Sequence, residues 1–152
     1  TYWLFFELLW RDFFKYVSMQ HRNKFFSKDG IYGTEKEWSQ ENSKIKSWIN
    51  GETKETFVNA NMIELASTGF MSNRGRQNVA NYLTKELKVD WRIGAEYFEA
   101  LLIDYDVHSN YGNWLYNAGI GNDSMPFRKF NPTLQSERYD PNKDYENTWL
   151  NE

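Results

Sequence analysis

The sequence predicts an all-α chain with long ordered loops. Apolar residues recur at helical spacing in several separate stretches, none of the chain shows sustained period-two alternation, and helix-starting and helix-stopping residues punctuate the stretches. The first stretch runs from Tyr2 through Val17 and is apolar nearly all round, which predicts a helix buried on most of its sides. So much apolar surface needs partners, and part of that packing is expected from residues beyond this chain.

From Met19 to about Thr56 the pattern breaks up around Gly30, Gly33 and Gly51, with short apolar groups at Trp38 and Ile45 to Trp48. An irregular connection with short helices is expected there. Helical spacing returns at Val58, Met62, Leu65 and Ala66, and Thr68-Gly69 supplies a glycine stop. Ser72 or Asn73 can cap the next helix, whose apolar face is Val79, Tyr82, Leu83 and Leu87. A third helix follows Asp90, with Ala95, Phe98, Leu101 and Leu102 on one side. Past Asp106 the chain is rich in Asn and Gly and then carries Pro126, Pro132 and Pro141, so regular helix is expected to be scarcer. No internal repeat or low-complexity tract is present.

Composition narrows the function classes. The 152 residues contain no cysteine, which removes disulfides, thiolate nucleophiles and cysteine-ligated metals. His21 and His108 are far apart and read as structural or solvated residues, so neither a histidine metal site nor a Ser/His/Asp triad is expected. The mean hydropathy of −0.80 and the lack of a long apolar run speak against a transmembrane helix. Thr1 is not an initiator and no targeting segment is visible, so a soluble intracellular protein is expected, its compartment left open. A net charge of −3 offers no global field for nucleic acid, so any such binding needs a local basic patch. What remains is an aromatic content of 18%, which serves either packing or a flat partner such as a nucleobase or flavin.

Three segments could carry chemistry. Gly69 to Asn78 is a helix start with Arg74 and Arg76 two apart, suited to phosphate or carboxylate, although a solvated first turn reads the same way. Leu101 to Asp106 ends an apolar helix with Asp104 and Asp106, an unfavourable place for carboxylates unless a cation such as Arg76 or Arg74 offsets them. A surface turn is the plainer alternative, and no third acid follows at calcium-loop spacing. Asn110 to Asp123 mixes Gly and Asn with Trp114 and Tyr116, whose faces could stack on a ligand or pack in a core.

In this order, these segments resemble the C-terminal, flavin-binding helical domain of the photolyase/cryptochrome family, and within it the DASH cryptochromes. The resemblance rests on Phe6 to Phe14, Trp48 to Thr53, Thr68 to Ala80, Asp90-Trp91-Arg92, Asp104 to Trp114, Phe130-Asn131-Pro132 and Tyr139-Asp140-Pro141, and covers nearly the whole chain. It implies a buried FAD, with Arg76 and Asp104 paired beside the isoalloxazine, Asp106 on its polar edge and Asn110 near N5. Trp114, Trp91 and Trp38 match the family's electron relay, running outward from the flavin to the surface. Glu7, Trp10, Asn73, Gln77 and Tyr116 match the pocket for a flipped cyclobutane pyrimidine dimer, with Asn73 shared between lesion and cofactor sites. Arg74 and Gln135 fall near the DNA backbone.

The activity implied is light-driven dimer repair, mainly in single-stranded DNA, by a photolyase-type lyase. The alternatives are a blue-light photoreceptor that signals without repair, or a non-functional fragment. The resemblance takes residues 1–152 as the C-terminal part of the flavin domain. The family's antenna domain, its pigment of folate or deazaflavin type, and its segment for the FAD phosphates have no counterpart here. Weak or no FAD binding and no activity by this piece alone are therefore expected, and no metal is expected. Lys54-Glu55-Thr56 replaces the family's Gly-Tyr-Pro turn, and Asn59 stands where the family has Asp.

Overall fold

The computed structural model describes residues 2–150, and among them the only β-pairing is one isolated bridge between Ser39 and Val89. Eight α-helices follow in chain order: α1 (Tyr2–His21), α2 (Asn42–Ile49), α3 (Thr56–Thr68), α4 (Asn73–Asn81), α5 (Trp91–Leu101), α6 (Val107–Ala118), α7 (Pro132–Tyr139) and α8 (Asp144–Leu150). A 3₁₀ turn at Arg22–Phe26 extends α1, and a π-helical turn at Tyr82–Glu86 extends α4. The all-α expectation holds. No helix among the described residues is long and apolar enough to cross a membrane.

The helix ends follow from local chemistry. Ser72 Oγ accepts from the Gly75 N–H at 3.0 Å, Asp90 from Arg92 at 3.0 Å and Asp106 from Ser109 at 2.8 Å, each removing one unpaired donor of a first turn. Gly69 ends α3 at φ 71°, a left-handed conformation that costs glycine nothing.

The core gathers around α3, which packs against α4, α7 and α8, and around the α5–α6 pair, with α1 laid on α6. Val58, Met62 and Leu65 meet Val79, Leu83, Trp48, Trp91 and Trp114 in one cluster. Ala66, expected on the inner face of α3, is exposed instead. The polar clasp between α3, α7 and α8 is built on Glu146, whose buried carboxylate accepts from Thr56, Ser136 and Lys143.

Two expectations need correction. Only Phe14, Val17 and Ser18 of α1 are buried, whereas Tyr2, Trp3, Leu4 and Phe5 are each more than 60% exposed. The apolar sequence of α1 thus has no matching cover within the described residues, and its rings pack on each other instead, Tyr2 stacked on Phe6 and Phe6 edge to face with Trp10. Secondly, the Asn- and Gly-rich segment after Asp106 is regular helix, not loop. Its glycine is a packing device: Gly112 lies where any Cβ would run into Phe14 of α1. Close contact between helices repays the poor helix propensity of those residues.

Candidate functional site

The end of α5 and the start of α6 meet the first turn of α4, and that junction positions the charged residues. Leu102 closes α5, and the Ile103 N–H donates to Gly69 O at 3.0 Å, pinning the link to the turn ahead of α4. Asp104 is thereby held opposite Arg76, whose Nη2 reaches both carboxylate oxygens at 2.9 Å while Nε donates to Met71 O at 2.8 Å. The expected offset for Asp104 is therefore Arg76. The expectation that both carboxylates burden a helix C-terminus is corrected: α5 ends at Leu101, and Asp106 begins α6, where the dipole favours it. Burial alone would raise the Asp106 pKa, but the bonds from the Ser109 N–H and hydroxyl, with His108 and Arg11 nearby, outweigh it and hold the carboxyl below its usual range.

These groups line a cleft together with Asn73, Gln77, Asn110 and Trp114. Asn110, nearly buried, donates through Nδ2 to Ala95 O of α5 at 3.0 Å and leaves its Oδ1 without a protein partner. Asn113 and Asn117 line the same cleft and were not singled out in the sequence. Their spacing of three and seven from Asn110, one helical face, is the signal that could have found them.

A second cleft opens on the other side of Asn73, Gln77 and Asn113, walled by Phe6, Glu7, Trp10 and Tyr116. Trp10 and Tyr116 meet edge to face at 6.4 Å between ring centroids, so α1 and α6 supply its aromatic walls. The side chains of Glu7, Asn73 and Gln77 form no hydrogen bond among the described residues. Arg74 lies further out, 4.8 Å above the ring of Tyr139, and Gln135 meets Asn78 at 3.4 Å. Arg138 lies 5.4 Å from the same Tyr139 ring, so two guanidinium groups that form no ion pair among the described residues flank one aromatic. The sequence reading missed Arg138, although its spacing of three from Gln135 on α7 was visible.

Of the three tryptophans expected to form a relay, Trp114 and Trp91 are buried and Trp38 is partly exposed. Trp114 contacts Phe98 at 5.1 Å and Trp48 at 6.2 Å, and Trp91 contacts Tyr111 at 5.9 Å. No ring contact joins Trp114, Trp91 and Trp38 directly. The backbone links them: Trp114 lies on Gly94, three residues along α5 from Trp91, and the Ser39–Val89 bridge brings the Trp38 segment beside the start of α5.

Residues 3–152 match the sequence profile of the FAD-binding domain of DNA photolyase. The chain belongs to the photolyase/cryptochrome family. Within that family, cryptochrome DASH from Danio rerio is 55% identical over all 152 residues, which make up 29% of that protein. A crystal structure of a Synechocystis cryptochrome superposes with a TM-score of 0.96 at 54% identity, covering 99% of this chain and 31% of the other. An archaeal photolyase from Sulfolobus tokodaii, solved with two FAD molecules, gives a TM-score of 0.89 at 38% identity, over 95% of this chain and 33% of its own. The chain spans less than a third of the relatives it matches.

The residues of this photolyase/cryptochrome domain suit a flavin in chemical kind. Arg76 from α4 brings a cation to this cleft, and Asp106, Asn110 and Trp114 from α6 bring an anion, an amide and an indole ring. The departure at Asn59 is also accommodated. Its Oδ1 accepts from the Thr53 N–H at 2.9 Å and hydroxyl at 2.7 Å, while Nδ2 donates to Thr53 O at 2.8 Å, so the amide closes the loop with both of its functions.

Proposed function

We propose that this domain forms the flavin- and lesion-contacting part of a light-driven repair protein for cyclobutane pyrimidine dimers, acting mainly on single-stranded DNA. The observation that carries this reading is the second cleft. Three polar side chains with no hydrogen-bond partner among the described residues, Glu7, Asn73 and Gln77, share it with two aromatic rings, Trp10 and Tyr116. Such a set matches a flipped pyrimidine pair, which needs flat apolar faces and hydrogen bonds to its base edges. Arg74, Arg138 and Gln135 are suited to the neighbouring phosphates.

Reduced FAD bound in the adjoining cleft would, on excitation by light, supply the electron that splits the dimer. Arg76, held by Asp104 and Met71 O, keeps a fixed positive charge at that cleft. Asp106 and Asn110 offer polar contacts at its α6 wall. Trp10 and Tyr116 exclude water from the lesion side, and Glu7 and Asn73 fix the bases against them. Trp114, Trp91 and Trp38 are assigned to returning the cofactor to its reduced form.

The experiment uses a chimera in which this chain replaces the matching 31% of the Synechocystis cryptochrome. Illuminating the reduced chimera with dimer-containing oligo(dT) should restore absorbance at 260 nm. Unchanged absorbance, with FAD bound and photoreducible, favours the signalling photoreceptor.

A further inference from the structure

Trp38 borders a hollow that shares no lining residue with the lesion cleft and is formed with Lys36, Glu37, Lys85, Lys88, Phe127 and Lys129. Four lysines converge on it, and among the described residues the only ion pair any of them forms is Lys129 with Glu86. Lys36 and Lys85 donate to the same acceptor, Ala118 O at the end of α6, at 2.5 and 3.0 Å. One helix terminus thus holds two ammonium groups, a partial compensation for their charge. Burial, and then the nearby Lys36, pushes Lys85 down to about 8. Glu37 is the one acidic residue among those that line it, so the hollow keeps a net positive charge.

Trp38 has two further properties. Lys36 Nζ lies 5.8 Å from its ring, and its Nε1–H is buried with no hydrogen-bond partner. A cation over the ring raises the cost of removing an electron from the indole. With no acceptor on Nε1 among the described residues, an oxidised Trp38 has no direct partner for its proton and sits in a positive field. Charge arriving at Trp38 therefore persists there until an electron is supplied from outside.

We propose that this lysine hollow is a docking site for a small anionic one-electron donor of the enediolate or carboxylate class, which discharges the oxidised Trp38. The inference rests on the relay assigned under the proposed function. In the balanced step the donor passes one electron to the Trp38 radical cation, which returns to neutral indole with its N–H intact. Ascorbate monoanion, the probe used here, becomes the ascorbyl radical anion and releases one proton to water. The ultimate oxidant is the light-excited oxidised flavin, which retains the electron.

Two arms separate this site from the relay. In the first, the chain is labelled with ¹⁵N at its indoles and titrated with ascorbate, then with citrate as a redox-inert anion. The Trp38 Nε1–H signal, assigned with Trp38→Phe, should move saturably while that of Trp48, bonded to Val79 O, stays still. Lys36→Gln with Lys88→Gln should weaken the apparent Kd at least fivefold. The same titration in the 5-fluorotryptophan-labelled chimera, followed by ¹⁹F, covers a chain that does not hold its fold alone.

A stationary Trp38 signal, an unchanged Kd in the double variant, or tighter binding of unmodified oligo(dT) than of either anion would overturn the proposal. The last result would make the hollow a track for nucleic acid. In the second arm, the photoreduction rate of the chimera should saturate with ascorbate and lose that saturation in the double variant. If Trp38→Phe leaves photoreduction unchanged while the anion still binds, the relay fails and the binding site stands.

Discussion

The six-membered ring of Trp114 lies against the bare backbone of Gly94, so closely that a Cβ at that position would overlap three of its carbon atoms. The contact sets the distance between α5 and α6 and, with it, the width of the cleft that holds Asn110 and Asp106. Gly94→Ala should therefore destabilise the chain by about 1–3 kcal/mol despite the better helix propensity of alanine. Urea denaturation checks the sign: a midpoint equal to or above that of the parent would mean the indole yields freely.

Arg76 separates binding from stability. Its pair with Asp104 is more than half exposed on the carboxylate side, so losing it should cost at most about 1 kcal/mol. FAD affinity in the chimera should fall about tenfold or more in Arg76→Ala, corresponding to about 1.4 kcal/mol or more of binding energy. Parallel measurement of thermal midpoint and FAD Kd decides this, and equal losses in both would make Arg76 a structural residue.

Trp91→Phe keeps the apolar packing of the ring but loses the oxidisable indole and its hydrogen bond to Lys28 O. The chimera carrying it should bind FAD normally and photoreduce it at least tenfold more slowly. Photoreduction at the parental rate would point to another exit from Trp114, of which Trp48 is the ring in contact.

Glu146 ties stability to acid. Burial opposes its charge, yet hydrogen bonds from Lys143, Ser136 and Thr56 outweigh burial and hold its pKa below the usual 4.5. A depressed folded pKa contributes stability above the unfolded value that is lost as pH falls through the folded one. Unfolding should therefore ease below about pH 4.5. Glu146→Leu should be markedly less stable at neutral pH, with a smaller loss on acidification, as followed by circular dichroism.

Lys85 acts in the opposite direction. Its folded pKa of about 8 lies below the ordinary 10.5, so between those values the unfolded chain binds more protons and stability rises with pH. Lys36, also lowered by burial, adds to the same slope. The urea midpoint should increase from about pH 7.5 to about pH 9.5, and Lys85→Met should flatten the increase.

Where local chemistry decides, the sequence was readable. Gly69, Ser72 and Asp90 mark helix ends because each satisfies or releases a backbone group within a few residues of itself. The Arg76–Asp104 pair was readable because a carboxylate near an apolar helix end needs a cation, although the helix boundary was misjudged. Position 106 was read as the end of one helix and proved to be the start of another; the aspartate is the same, but the dipole it meets is reversed. The helix through Asn110, Gly112 and Asn117 was not legible, because its stability comes from Phe14 and α5, which no local window contains. The lysines at 36, 85, 88 and 129 come from three separate segments, and only folding brings them to Trp38. Arg138 escaped notice because a lone arginine on a short polar helix looks solvated until Tyr139 and Arg74 are seen beside it.

Asn73, Gln77 and Asn113 stand in the walls of both clefts, so only one layer of side chains separates the cofactor side from the lesion side. Such a partition cannot be insulating. A ligand that fixes the rotamers of these three amides from one face also decides which of their donors and acceptors remain for the other. By linkage, whatever FAD does to the affinity for a dimer, the dimer must do to the affinity for FAD.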